Sequence, residues 1–165
     1  MAGEVEVRIE ADDLKDLVAA IKQHENNRAF MKELRGDVRK SLAPAVPAIR
    51  SAVKKIPSQG QSRQLHRPSL RKSTARATRL QVKVTAKAAG ATLRVDPKKM
   101  PAGQHNLPGY LNGTFTPWRV RDFGRNQFHV QHAHPYFDPV VRRVEPAAIR
   151  TIEATMDHLR RQLET

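Results

Sequence analysis

A chain of 165 residues with 39% apolar content, eleven prolines and a mean hydropathy of −0.62 has material for one thin, aliphatic core. It has no cysteine, which excludes disulfide frameworks, thiolate metal sites and thiol nucleophiles. Its net charge is +14, and no run approaches the roughly 18 apolar residues of a membrane span, so a soluble protein with no membrane partner is expected.

The opening Met-Ala-Gly-Glu-Val-Glu-Val lacks the basic-then-apolar pattern of a secretory leader, so no signal peptide is expected. Glu4 to Glu10 alternates, with Val5, Val7 and Ile9 on one face, and predicts a half-buried strand. Asp12 or Asp13 is positioned to cap a helix whose Leu14, Leu17, Val18 and Ile21 form one stripe, ending near Gln23 to Asn27. A longer helix is predicted from Phe30 to Ile56 through Leu34, Val38, Leu42, Ile49 and Val53. Pro44 and Pro47 each remove an amide donor, so a kink or break is expected there, with Pro57 as a stop.

Ser58 to Pro68 is rich in Gln, Ser and Arg and has no periodicity, which predicts a loop or arm. Ser69 can cap a short helical turn from Leu70. Leu80 to Ala86 alternates as a strand, Ala88 to Ala91 reads as a turn, and Thr92 to Asp96 as the returning strand of a hairpin. From Pro97 to Pro117 turn formers are dense, with a turn of helix expected at Leu107 to Leu111. Gln127 to Gln131 alternates as a last strand. From Pro139 or Glu145 onward, Ile149, Ile152, Met156, Leu159 and Leu163 recur at helical steps and predict a long C-terminal helix. The sum is an α+β domain spanning 1–165, with helices packed against one side of a small, mainly antiparallel sheet.

The charge has one address. Between Val38 and Val95 there are 14 basic residues and no acidic one, while the rest of the chain holds 16 of each. Arg63, Arg67, Arg71, Lys72, Arg76 and Arg79 lie at the centre of this window, in a basic loop or arm at about 58–79. Three readings stay open for it: a solvated face, a nucleic-acid contact, or a surface for an acidic protein, because charge sets affinity rather than identity.

Seven of the eight aromatic residues fall in one stretch: Tyr110, Phe115, Trp118, Phe123, Phe128, Tyr136 and Phe137. Their mixing with Arg119, Arg121 and Arg125 matches single-strand binders that stack bases on rings, but core packing explains the rings more cheaply, as an aromatic packing platform. His105, His129, His132 and His134 raise a metal hypothesis. On a strand 129 and 132 face opposite ways, and no carboxylate lies between Asp122 and Asp138, so no metal and no cofactor are expected. No phosphate loop, nucleophile motif or paired carboxylates are visible, and a non-enzymatic protein is expected.

Taken in order, several motifs resemble one family. Val5-Glu-Val-Arg-Ile-Glu-Ala-Asp-Asp-Leu-Lys-Asp-Leu gives a strand leading into a Leu-rich helix; Ala-Ile-Arg-Ser-Ala-Val-Lys-Lys-Ile-Pro follows; then come a basic loop and Leu70 to Ser73. A hairpin, a Gly- and aromatic-rich stretch and the step His134-Pro135-Tyr136-Phe137 into the last helix complete the order. This resembles the neck or tail-completion proteins of long-tailed bacteriophages, especially those infecting actinobacteria. The resemblance implies a structural virion protein that forms a homo-oligomeric ring, six-fold or twelve-fold, at the head-tail junction, assembled in the host bacterial cytoplasm. It implies as partners the head-completion proteins and the tail terminator or tail tube, with the basic arm against a neighbouring subunit, an acidic ring or packaged DNA. A basic nucleic-acid-binding module outside any virion is the alternative.

Overall fold

The computed structural model describes residues 5–9, 13–57, 69–85, 87–114, 118–121 and 128–164. In chain order these form β1 (Val5–Ile9), α1 (Leu14–Gln23), α2 (Asn27–Leu42), α3 (Ala45–Lys54), α4 (Leu70–Ala77), β2 (Thr78–Val84) and β3 (Ala89–Val95). A 3-10 turn at Pro97–Lys99, α5 (Leu107–Asn112), β4 (Trp118–Arg121), β5 (Phe128–Gln131) and α6 (Asp138–Leu163) follow. Helices, a small three-stranded antiparallel sheet and a long C-terminal helix make this an α+β fold, as the periodicities predict.

The sheet is ordered β1-β3-β2, so β3 is central. β1 and β2 alternate buried or half-buried residues with exposed ones, as half-buried strands should. β3 differs: Ala89, Gly90 and Ala91 are buried in succession. The turn expected at Ala88 to Ala91 is therefore earlier, at Thr85–Ala88, where the two backbones exchange hydrogen bonds of 3.1 Å in both directions. Small residues that suggest a turn by composition serve here as strand positions covered on both faces.

The chain divides into two compact units, each assembled from segments distant in sequence. One comprises Val7–Pro47, Leu80–Leu93 and Val141–Thr165. In it α1 buries Leu14, Leu17, Val18 and Ile21, and α2 buries Leu34, Val38 and Leu42. Asp13 precedes α1 in a left-handed conformation (φ 62°), and its side chain makes no capping hydrogen bond. It instead approaches Arg160 of α6 at 3.5 Å, which corrects the side-chain cap expected at Asp13, while Asp12 lies outside the described residues. Asp tolerates positive φ better than most residues, so the conformation is affordable without a cap.

The long helix expected from Phe30 to Ile56, with a kink or break at Pro44 and Pro47, is broken into two helices, α2 and α3, separated at Ala43 and Pro44. Pro44 has no amide hydrogen to extend the ladder beyond Arg39, whose carbonyl accepts from Ala43 N at 2.9 Å. Pro47 falls in the first turn of α3, where its missing donor has no helical acceptor to leave empty. α6 runs 26 residues, about 39 Å at 1.5 Å per residue, and begins at Asp138 in spite of Pro146 inside it. Within this unit Ala148, Ile152, Met156 and Leu159 of α6 are buried.

The other unit comprises Met1–Glu6, Ala48–Arg79 and Arg94–Val140. Ser69 caps α4, its Oγ accepting from Lys72 N at 3.3 Å. Ser73, Thr74, Ala75 and Ala77 are buried, and Thr78 Oγ1 donates to Thr74 O at 3.1 Å where α4 passes into β2. The helical turn expected from Leu70 with Ser69 as its cap is present, and the loop or arm expected at about 58–79 is corrected over 70–79, which are helix and strand because a capped start and a face of small side chains let that segment pack; residues 58–68 lie outside the described residues.

α5 ends on Gly113 (φ 91°), whose amide donates to Gly109 O at 3.1 Å, while Thr114 N also reaches Gly109 O at 3.0 Å. The turn is followed by a return of the chain, with His134 N donating to Leu111 O at 2.9 Å. Asn112 is buried and holds the start of α6: its Oδ1 accepts from Phe137 N at 3.0 Å and its Nδ2 donates to Asp138 at 3.1 Å. Between these elements β4 and β5 form a separate antiparallel ribbon in the register Trp118↔Gln131, Arg119↔Val130, Val120↔His129 and Arg121↔Phe128. The strand expected near Gln127 exists; its partner, too short and too close to Pro117 to stand out, does not show in the periodicity.

Candidate interaction surfaces

Helix α3 turns Ile49 and Val53 inward and is left with Arg50 and Lys54, four residues apart, on its exposed side. α4 does the same with Lys72 and Arg76, opposite its buried Ala75 and small polar residues. These four cations and Ala75 line one shallow depression of about 470 Å³. Two arginines link the surrounding segments: Arg50 of α3 donates to Thr78 O at the start of β2 at 3.0 Å, and Arg71 of α4 donates to Ile56 O just beyond α3.

Because the surrounding sequence has no acid between Val38 and Val95, the depression keeps its charge. The side-chain cations of Lys54, Lys72 and Arg76 have no ion-pair or hydrogen-bond partner among the described residues. Arg79, next along, is different: it lies 4.0 Å from Asp96, which also accepts from Lys98 N at 3.1 Å to cap the 3-10 turn. A shallow, open, cation-lined hollow suits an extended anionic surface better than an enclosed small molecule, for which burial on most sides is usual.

The basic residues expected to act as one arm therefore have different settings. Arg63 and Arg67 lie outside the described residues. Arg71 is half-buried and spent on Ile56 O, Lys72 and Arg76 face the depression, and Arg79 is paired. Arg50 and Lys54 of the same acid-free window join Lys72 and Arg76, and their four-residue spacing beside Ile49 and Val53 is the sequence signal for it.

The aromatic residues separate in the same way. Tyr136 and Phe137 are buried, and Tyr136 Oη donates to Pro108 O at 3.4 Å. Burial first, and then the Asp138 carboxylate, push the Tyr136 phenol well above its ordinary range, so it stays neutral. Tyr110 is half-buried on α5, and Trp118 contributes its backbone to β4. Phe115 and Phe123 lie outside the described residues. Phe128 is 61% exposed, which corrects its place in a packing platform. Val130, two residues on and so on the same side of the strand, is 52% exposed. The reason is that the ribbon pairs only with itself, so no second layer covers that side of β5 among the described residues.

Of the histidines, His105 places Nδ1 2.8 Å from Pro97 O, His132 and His134 are exposed, and the backbone of His129 pairs with Val120. Among the described residues no group of three or more His, Asp or Glu side chains is arranged to hold a metal. No described helix is long and apolar enough to cross a membrane. No family model, curated protein or solved structure matches the chain.

Proposed function

We propose that the protein is a non-enzymatic virion component that assembles as a homo-oligomeric ring at the phage head-tail junction, linking head-completion proteins to the tail terminator or tail tube. The observation that carries this reading is the β4–β5 ribbon, which presents Phe128 and Val130 to solvent. A two-stranded ribbon is marginal by itself in water, and rings of this size belong to cores or interfaces. A neighbouring subunit covers such a surface in a ring. The order of motifs from Val5 to Phe137 supports the same reading from the sequence side.

The basic α3–α4 depression favours a second reading, a nucleic-acid-binding module outside any virion, since its cations suit phosphate as well as a carboxylate-bearing ring. The two are separated by particles rather than by affinity. Virions assembled without this protein should yield unjoined heads and tails, and labelled protein should appear at the junction by electron microscopy. Joined, infectious particles in its absence would refute the first reading.

A further inference from the structure

Helix α2 carries a second basic surface that the charge count along the chain does not single out. Arg28, Lys32, Arg35 and Arg39 follow each other at steps of four, three and four. At 3.6 residues per turn they fall within about 60° of arc and span about 16 Å of axis. All four are exposed, and with Met31 and Gly36 they line an open hollow of about 570 Å³. The acids of the same helix point elsewhere. Glu33 lies 3.8 Å from His158 Nε2, and Asp37 lies 3.5 Å from Lys40 and 3.4 Å from the Thr155 hydroxyl. None of the four stripe cations has an ion-pair or hydrogen-bond partner among the described residues. Like charges three and four apart on a helix repel, so the free protein gains nothing from this arrangement.

Gly36 leaves the helix backbone bare beside the stripe. It sits mid-helix at the edge of the stripe, and a Cβ added there meets no atom within 4 Å. Packing inside this chain does not require a glycine at that place. The absent side chain leaves the helix backbone open to close approach by another molecule.

We propose that this face of α2 binds the sugar-phosphate backbone of double-stranded nucleic acid without regard to sequence, its four cations neutralising phosphates of both strands where they flank a groove and the bare backbone at Gly36 admitting the closest of them. Counting both strands, a duplex carries about one phosphate per 1.7 Å of axis, about nine in 16 Å, so even with part of each strand wound away the side facing the row offers a phosphate to every cation. An anionic bilayer fits less well, since the exposed large apolar residues among those described are Leu70, Phe128 and Val130, none on α2. The proposal does not depend on the protein's being a virion component.

The test is fluorescence anisotropy of the full chain with a labelled duplex of arbitrary sequence, over a salt series, for the wild type and for Arg28→Gln/Lys32→Gln/Arg35→Gln/Arg39→Gln. Four lost phosphate contacts should make the slope of log affinity against log salt shallower by about 3.6 and weaken binding more than tenfold at low salt. Far-UV circular dichroism should be unchanged, because Gln is a good helix former and the sites are exposed. Should the quadruple variant not fold, Arg35→Gln alone should reduce the slope by about 0.9. A charge-keeping variant, Arg28→Lys/Arg35→Lys/Arg39→Lys, should retain the wild-type slope. Lys54→Gln/Lys72→Gln/Arg76→Gln separates the two basic surfaces: if it removes the whole salt dependence while the α2 variant removes none, the proposal is wrong. No duplex binding at low salt, tighter binding to polyglutamate, or α2-dependent binding to phosphatidylserine vesicles in place of duplex would also overturn it.

Discussion

Replacing Gly36 by Ala should stabilise the protein and weaken its hold on nucleic acid at once. The residue lies inside α2 with ordinary helical backbone, and the added methyl meets no atom within 4 Å, so the change introduces neither a clash nor a packing gain. What remains is the helix propensity difference, about 0.8–1.0 kcal/mol in favour of Ala, which arises largely from the greater freedom glycine has in the unfolded chain. For a chain of this length that corresponds to a rise in Tm of about 2–4 °C. Urea titration followed by circular dichroism should show a higher midpoint with an unchanged slope, the signature of a stability change without a change in exposed surface. The same variant should bind duplex less tightly, because the methyl holds a phosphate away from the backbone. An unchanged or lower midpoint would refute the reading of Gly36 as an unneeded cost to the free helix. A higher midpoint with unchanged binding would refute the close approach.

Asn112→Ala should destabilise by about 2 kcal/mol in urea titration, since it leaves the Phe137 amide, now bonded at 3.0 Å, without an acceptor at the start of α6. Phe128→Ser should change stability by no more than about 0.5 kcal/mol, its side chain being exposed; on the ring proposal it should also reduce assembly measured by light scattering with head-completion and tail-terminator proteins. Tyr136 gives a pH dependence of known sign. Its phenol is raised above the ordinary 10.0 in the folded state, so its contribution is fully present below that value and is lost as pH rises, because the unfolded chain ionises first. Stability should therefore fall in alkali above about pH 10, and part of the ultraviolet phenolate signal should appear only together with loss of ellipticity.

Much of the fold was legible where one face of an element meets a core. Leu14, Leu17, Val18 and Ile21 in α1, Ile152, Met156 and Leu159 in α6, and the alternation of β1 and β2 fix those elements because burial enforces period. Where period and local chemistry disagree, local composition misleads. Ala89-Gly90-Ala91 looks like a turn and is central strand, and Asp13 looks like a cap and is an ion-pair partner of Arg160. The β4–β5 ribbon was half legible, since four residues are too few to declare a period without knowing what pairs with them.

The interaction surfaces show a different limit. The window from Val38 to Val95 advertises its charge because acids are missing from it, and from the described part of that window the α3–α4 depression is built. Three of the four α2 cations, Arg28, Lys32 and Arg35, lie before the window, among Glu25, Glu33 and Asp37, where a running count of charge shows little excess. The helix sorts what the count averages. A step of three or four residues returns to the same face and a step of five does not, so Arg28, Lys32, Arg35 and Arg39 gather while Glu33 and Asp37 turn toward His158 and Thr155. The separation is then a matter of energy as well as geometry: the two acids spend their charge inside the fold, the four cations spend none of theirs there, and the uncompensated row is what an external polyanion would meet. Moving an acid into the row tests that argument directly. Arg35→Glu should form pairs with Lys32 and Arg39 at three and four residues' distance, each adding about 0.2–0.5 kcal/mol to the stability of the free helix. It should also weaken duplex binding more than Arg35→Gln does. If Arg35→Glu instead bound duplex as well as the wild type, the row would not be the surface that meets phosphate.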